Sequence, residues 1–263
     1  MATYLDRILD GHRATAAADT RRTSDLVAEA LAQPPARGFA AALRHARADE
    51  RGLGVIAEVK RRSPSKGDLA PHLDPGAVAK AYEAGGAACL SVLTDAEWFG
   101  GSPDDLRAAR AAVGLPVLRK DFTVAPADVC DARIMGADAV LLIAAALDDS
   151  ELADLHGLAS QVGLDALVEV HDEQEVDRAL AAGATLVGVN QRDLVTFAVD
   201  HERAVRVARA MPSSVVRVAE SGIRGPEDAR ALAAAGFDAV LVGESLVTSA
   251  DPAAAVAGLL AGA

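Results

Sequence analysis

Aromatic side chains make up only 3% of this 263-residue chain: five Phe, two Tyr and one Trp. A core without them has to be aliphatic, and the abundant alanine suits helices packed closely on their neighbours. Cysteine is almost absent, with Cys89 in a predicted strand and Cys130 in a predicted helix. A disulfide framework or a zinc site needs more ligands at close spacing. Free buried thiols are the expectation, in a reducing cytoplasm. Basic charge is in deficit, 26 Lys and Arg against 38 Asp and Glu, for a net −12. That imbalance argues against nucleic acid and against anionic membrane surfaces as partners. No apolar run reaches the roughly 18 residues a membrane span requires. The opening MATYLDRILDGHR has no basic segment followed by an apolar one, so no secretory signal is expected.

What the chain does have is apolar residues, 51% of the total, enough for one large core. Residues 1–48 carry no strand pattern. Leu5, Ile8 and Leu9 form a helical stripe, Ser24-Asp25 is placed to cap a short helix that stops before Pro34-Pro35, and Phe39 and Leu43 suggest a third. This stretch is too small for a core of its own and reads as an N-terminal helical extension. From residue 54 onward, apolar runs alternate with helical segments. The runs at 55–59, 88–93, 116–118, 139–144, 166–170, 186–189, 215–219 and 239–242 read as buried strands.

Four segments repeat one another: EAGGAACLSVL, IMGADAVLLIA, AAGATLVGVN and AAGFDAVLVGE. Their glycines, Gly85, Gly136, Gly183 and Gly236, recur about every 50 residues, with Gly114 and Gly163 falling between. The unit is therefore one strand plus one helix, and eight copies fit. A (β/α)₈ TIM barrel over 54–263, in a single domain with the 1–48 extension, is the expected fold. An open doubly wound sheet is the rival, but no GxGxxG follows the first strand and the repeat is unbroken.

Such barrels place their chemistry at the C-terminal ends of the strands. Read in order, those ends carry Glu58-Val59-Lys60, Thr94-Asp95, Arg119-Lys120-Asp121-Phe122, Glu169, Asn190-Gln191-Arg192, Glu220-Ser221-Gly222 and Gly243-Glu244-Ser245. Each has an ordinary alternative when taken singly. Glu58 and Lys60 could be a solvated ion pair, Lys120 a snorkelling lysine, Glu169 a solvated strand end and Asn190 a turn residue; His171 reads as a loop or capping residue. Together they load one rim with charge, which a purely structural barrel has no reason to do. Gly222, Gly243 and Ser245 follow the last two strands, where glycine N–H groups and a hydroxyl suit a phosphate. Lys60, Arg61, Arg62, Lys66, Arg119, Lys120 and Arg192 are expected to make the mouth locally positive despite the acidic whole.

At these positions the chain resembles the indole-3-glycerol-phosphate synthase family, over nearly its whole length. IAEVKRRSPS, LTDAEWFGGS, LRKDF, VEVH, GVNQRDLVTF, AESGI and LVGES match in order. Arg62 stands where a small residue is common, and Gln191 where a second Asn often follows the first. The resemblance implies a barrel enzyme of tryptophan biosynthesis that acts on 1-(2-carboxyphenylamino)-1-deoxyribulose 5-phosphate and needs no metal or organic cofactor. It implies Lys120 as the acid at the carbonyl, Glu169 as acid/base, and Lys60 as a grip on the substrate anion and acid in dehydration. Glu58 is expected to hold Lys60, Asn190 to bond a substrate hydroxyl or Glu169, and Arg192 to orient Glu169. Ser63, Phe122, Arg192, Glu220 and Ser221 are expected to touch substrate, and SPSKG to be a mobile loop. Trp98 and Phe99 form either a lid or a loop anchor. A monomer is expected, with a weak dimer as the alternative. The rivals are another phosphate-binding barrel, such as a sugar-phosphate epimerase or a phosphoribosylanthranilate isomerase, and a binding barrel without activity.

Overall fold

A computed structural model describes residues 4–48, 52–64, 66–192 and 199–261, apart from the side chain of His201. Eight parallel strands close into a TIM barrel: β1 Gly54–Val59, β2 Cys89–Leu93, β3 Val117–Lys120, β4 Ala139–Ile143, β5 Asp165–Val170, β6 Leu186–Asn190, β7 Val216–Glu220 and β8 Ala239–Val242. The seam between β8 and β1 pairs Gly54 with Ala239, and β1 meets β2 with Ile56 opposite Cys89.

Alternation along each strand divides the core in two. Ile56, Leu118, Leu141, Leu167, Val218 and Leu241 fill the barrel, while Val55, Ala57, Leu90, Val140, Val168 and Val187 face the helices outside. Because both faces are buried, the strands are mostly apolar, which is why they were legible as runs. Asp74, Ser102, Asp148, Asp172 and Asp200 each accept a hydrogen bond from a first-turn N–H of the helix that follows. Caps of this kind are worth about 1 kcal/mol each.

Three helices precede the barrel: α1 Tyr4–Ala18, α2 Thr23–Leu31 and α3 Phe39–Ala48. Phe39, Ala40 and Leu43 of α3 plug the N-terminal end of the barrel, packing with Cys89, Ala139 and Ala239. α1 reaches the opposite end, where Ile8 is buried and Tyr4, Leu5 and Ile8 wall the cavity described below. Cys89 and Cys130 are both free and buried. Among the described residues no helix is long and apolar enough to cross a membrane.

Several boundaries differ from the sequence expectation. The α2 cap position is Arg22, so Ser24 and Asp25 lie inside the first turn and do not cap it. β3 runs on to Lys120, and β6 and β7 each gain the polar residue that ends them, since ladder pairing continues past the apolar run. Short helices at Ala96–Phe99 and Glu244–Val247 were not anticipated, nor was the small antiparallel ribbon pairing Arg62–Ser63 with Gly67–Asp68. Ser65 of the SPSKG loop and residues 193–197 of the DLVTF motif lie outside the described residues.

The extension is tied to the barrel through Asp138, which is fully buried. Its carboxylate accepts from the N–H of Arg37 at 2.7 Å and of Val117 at 2.8 Å, and pairs with the Arg110 guanidinium. Asp138→Ala strips a partner from each of these donors, so a loss of about 3–5 kcal/mol is expected. A thermal melt checks it: the midpoint should fall by roughly 10 °C, and a shift under about 2 °C contradicts this role.

Candidate active site

A cavity of about 710 Å³ opens at the C-terminal ends of the strands. Its floor is a layer of four polar side chains from alternate strands: Glu58 on β1, Lys120 on β3, Glu169 on β5 and Glu220 on β7. Barrel interiors are built in such layers of four, and in most layers the residues are branched apolar ones. Here three acids and one lysine occupy it, with the acids only 2–4% exposed. Lys120 Nζ donates to Glu169 Oε2 at 3.3 Å and lies 3.7 Å from Glu220 Oε2. On the other side, Lys60 Nζ sits 2.6 Å from Glu58 Oε1, while Ser91 Oγ donates to Glu58 Oε2 at 3.3 Å.

Two glycines make room for this layer. A Cβ on Gly188 would lie 2.0 Å from Glu220 Oε1, and one on Gly243 would lie 2.4 Å from Glu58 Oε1 and 3.1 Å from Lys60 Nζ. Gly243 is thus demanded by the Glu58–Lys60 pair, whatever else its N–H does.

Charge sets the protonation states. Burial alone would lower the Lys120 pKa, but Glu169, Glu220 and Glu58 outweigh it and hold the ammonium above the ordinary lysine value. Burial alone would raise Glu169 and Glu58. Lys120, His171 and the Asn190 hydrogen bond draw Glu169 down, and Lys60 and Lys120 draw Glu58 down. Glu220 goes the other way: burial and the charge of Glu169 push it up to about 8. At neutral pH the layer therefore carries Glu58 and Glu169 as anions, Lys120 as a cation and Glu220 chiefly as the acid.

Asn190 Nδ2 donates to Glu169 Oε1 at 3.0 Å, as one of its expected roles required. Arg192 does not orient Glu169: its N–H donates to Asn190 Oδ1 at 3.0 Å and its backbone bridges Val199, while the ion pairs of Glu169 among the described residues go to Lys120 and His171. Arg192 still lines the cavity, together with Ser63, Phe122, Ser221, Gly222, Gly243 and Ser245. The Oγ of Ser63 and Oε1 of Glu220 are buried and take no hydrogen bond among the described residues. Ser221 is the one non-glycine there with positive φ, 68°, and Gly222 follows at 74°. Strain of that kind costs about 1–3 kcal/mol and gathers at working sites. Leu246 and Val247 both donate to the Gly243 carbonyl at 3.0 Å, and the N–H groups of Glu244 and Ser245 before them have no partner within the helix.

The expected basic mouth is smaller than its sequence. Arg61 pairs with Asp105, Arg62 donates to the carbonyls of Ala96 and Glu97, and Arg119 is held by Asp121, Thr94 and the Asp128 carbonyl. Lys60, Lys66, Lys120 and Arg192 remain on the cavity wall, joined by Arg224. Arg62 thereby has a use of its own, fastening the first loop to the 96–99 turn. Gln191, fully buried, donates to the Ser221 carbonyl at 2.9 Å and secures the strained turn after β7. Phe99 lines the cavity, whereas Trp98 packs edge-on against Tyr4 with centroids 4.9 Å apart, an anchor.

Two histidines were underread. His171 N and Nδ1 both reach Glu175 Oε2, at 2.7 and 3.1 Å, but the cap of that helix is Asp172, so His171 is the loop residue before it and not the cap. Its Nε2, however, is buried 3.7 Å from Glu169 Oε1, and although burial lowers its pKa, Glu175 and Glu169 raise it overall. His12 on α1 lies with Asp95 and Asp121 close enough for one cation to be shared. Yet Asp121 is taken by Arg119 and Thr94, and Asp95 caps the 96–99 turn, so the trio is an ion-pair knot. Nothing in the sequence around His12 pointed to the rim.

The family model for indole-3-glycerol phosphate synthase matches residues 5–259. Proteins of that description from Mycobacterium ulcerans (strain Agy99) and Mycobacterium tuberculosis (strain ATCC 25177 / H37Ra) are each 54% identical over 261 residues, which is 98% of this chain and 94% of theirs. Among solved structures, a thiamine phosphate pyrophosphorylase from Pyrococcus furiosus superposes with a TM-score of 0.60 at 17% identity, over 80% of this chain and 96% of that one. An N-acetylmannosamine-6-phosphate 2-epimerase from Clostridium perfringens gives 0.57 at 17% identity, over 73% and 86%. At that identity the two share a fold with this chain and no more.

The protonated Glu220 has a signature in stability. Its pKa is raised in the folded state to about 8, so the folded chain binds the extra proton between the ordinary carboxylate range and that value. Stability from this group is full below the ordinary range and is lost as pH rises through about 8. Glu220→Gln mimics the neutral acid and does not lose it. Melts from about pH 5 to 8 should show the variant gaining several degrees on the parent, at about 1.4 kcal/mol per pKa unit. A constant difference across that range contradicts the assignment.

Proposed function

The chain belongs to the indole-3-glycerol phosphate synthase family, and from that premise we propose how its residues divide the reaction. It is a carboxy-lyase of tryptophan biosynthesis: it closes the ring of 1-(2-carboxyphenylamino)-1-deoxyribulose 5-phosphate and releases indole-3-glycerol phosphate, carbon dioxide and water. The single observation that carries the residue assignment is two lysines lining one cavity, each seated on its own carboxylate.

The ring carbon that bears the carboxylate attacks the ribulose carbonyl carbon. Negative charge gathers on the carbonyl oxygen, and Lys120 gives it a proton. Lys120 arrives charged because the anions of Glu169 and Glu58 lie beside it. The carboxylate then leaves as carbon dioxide, its bonding pair returning to the ring to restore aromaticity. In the last stage the new hydroxyl leaves as water with a proton from Lys60, and Glu169 takes a proton from the methylene carbon beside the nitrogen. Glu169 is available to accept it because Lys120, His171 and Asn190 keep it ionised despite its burial. Two protons go in and one comes out, so each turnover takes one from solvent. Glu58 keeps Lys60 in place at 2.6 Å. The orphaned Ser63 Oγ and the protonated Glu220 are free to bond substrate oxygens. Phe122 presses on the anthranilate ring and brings the reacting carbons together.

The phosphate goes to the backbone of Gly222 and Gly243 and to Ser245, at the ends of β7 and β8, with Arg224 and Lys66 near. A small phosphorylated substrate and a cytoplasmic setting accord with the biosynthetic family and the acidic composition. An isomerase, by contrast, has no use for a second lysine on its own carboxylate.

Replacing each lysine by Met separates the roles, with turnover followed by indole fluorescence on synthetic substrate. Lys120→Met should lower kcat by about 10²–10⁴, the usual worth of a positioned acid. Lys60→Met should both raise KM and lower kcat. A folded Lys120→Met variant that keeps more than about a tenth of parent turnover sinks the assignment.

A further inference from the structure

The N-terminal helix makes two ring contacts with the loops at the rim. Tyr4 packs on Trp98, and His12 packs on Phe122 with ring centroids 5.3 Å apart. Phe122 in turn lies 6.3 Å from Phe99, so the His12 contact backs an aromatic row that faces the cavity. The His12 contact is also ionic. Nε2 lies 3.1 Å from Asp95 Oδ2 and 3.9 Å from Asp121 Oδ1. Both acids are rim residues already locked in place. Asp95 Oδ1 accepts from the Trp98 N–H at 2.6 Å and the Phe99 N–H at 3.2 Å, and Asp121 Oδ1 accepts from the Phe122 N–H at 2.9 Å. One imidazole therefore grips the two carboxylates that set Phe99 and Phe122.

We propose that His12 is a positioning residue for the reaction: its imidazolium pins α1 to the ends of β2 and β3, and so holds the aromatic wall against which the substrate ring is folded. A second ion pair on α1, Arg13 with Glu151 at 2.7 Å, is solvent-exposed. Exposed pairs hold little, whereas His12 is only 22% exposed and its acids 4–6%. The groups that face His12 are Asp95 after β2, Asp121 after β3 with Arg119 behind it, and Asp128 in the helix beyond. The hydrogen bond to Asp95, and the charges of Asp121, Asp95 and Asp128, raise the His12 pKa against the effect of burial. The grip is thus complete below the ordinary histidine value and is lost as pH rises through the raised one. Neutral histidine keeps one N–H for Asp95 but loses the charge that holds both acids, and the wall loosens.

This rests on the cavity being the substrate site, so the test has an arm that needs no substrate. Trp98 is the only tryptophan in the chain and lies against Tyr4 of α1. Its emission in the substrate-free protein should titrate once as pH rises through the His12 value, and should not titrate in His12→Ala. In the catalytic arm, His12→Ala should raise KM about threefold to tenfold at low pH, the worth of one charged hydrogen bond, with kcat within about twofold. The ratio of variant to parent KM cancels the substrate's own ionisation, and it should shrink as pH rises. His12→Gln keeps a neutral donor and should give an intermediate KM whose ratio to His12→Ala is flat with pH. An emission titration that persists in His12→Ala overturns the pin. A KM ratio that ignores pH, or a kcat loss equal at every pH, overturns the positioning role even where the emission arm succeeds; loss of activity in Lys120→Met is unaffected by either result.

Discussion

Three carboxylates and one lysine share the uppermost layer of this barrel, and the lysine makes the layer possible. Two unit charges of like sign 4 Å apart repel by about 4 kcal/mol in a partly buried setting. Lys120 offsets that repulsion from the centre, with Glu169 at 3.3 Å and Glu220 at 3.7 Å. Even so, one cation does not balance two adjacent acids. The remaining tension is relieved by Glu220 keeping its proton and by Glu58 taking a lysine of its own. Every other feature of the site follows from holding this layer. Gly188 and Gly243 clear the space, Asn190 and His171 secure Glu169, and the strain at Ser221 turns the chain away at the end of β7.

The layer also explains why a barrel suits the reaction. Closing an indole ring needs acid twice and base once within the span of one small molecule. Alternate strands bring four side chains to one level from residues 58 to 220 of the chain. Acid groups that differ in their partners can then serve different steps. The N-terminal extension completes the enclosure at both ends: Phe39 and Leu43 seal the barrel below, and α1 walls the mouth above.

Much of this was legible because strand periodicity is simple. A buried strand reads as an apolar run, and the polar residues at its C-terminal end mark the rim, so Glu58, Lys120, Glu169, Asn190 and Glu220 could be picked out one strand at a time. What the sequence hid was the partner of each charge. Arg61 looks like a free cation in a loop, but Asp105, 44 residues on, holds it. His12 lies 83 residues from Asp95 and belongs to a helix without motif. Gly243 reads as a phosphate loop, and its tightest neighbour proves to be a carboxylate from the opposite end of the barrel sequence. Gly188 and the proton on Glu220 depend on which side chain leans where, and linear spacing does not encode that.

The central claim is that Lys120 stays an ammonium ion because three buried carboxylates surround it. Nitrogen NMR of the lysine Nζ groups measures this directly, with Lys120→Met to assign the signal. The account predicts that the Lys120 resonance keeps its ammonium shift beyond about pH 10, where an ordinary lysine already begins to titrate. A Lys120 signal that moves to the amine position between about pH 7 and 9 would show that burial outweighs the carboxylates, and would contradict the account.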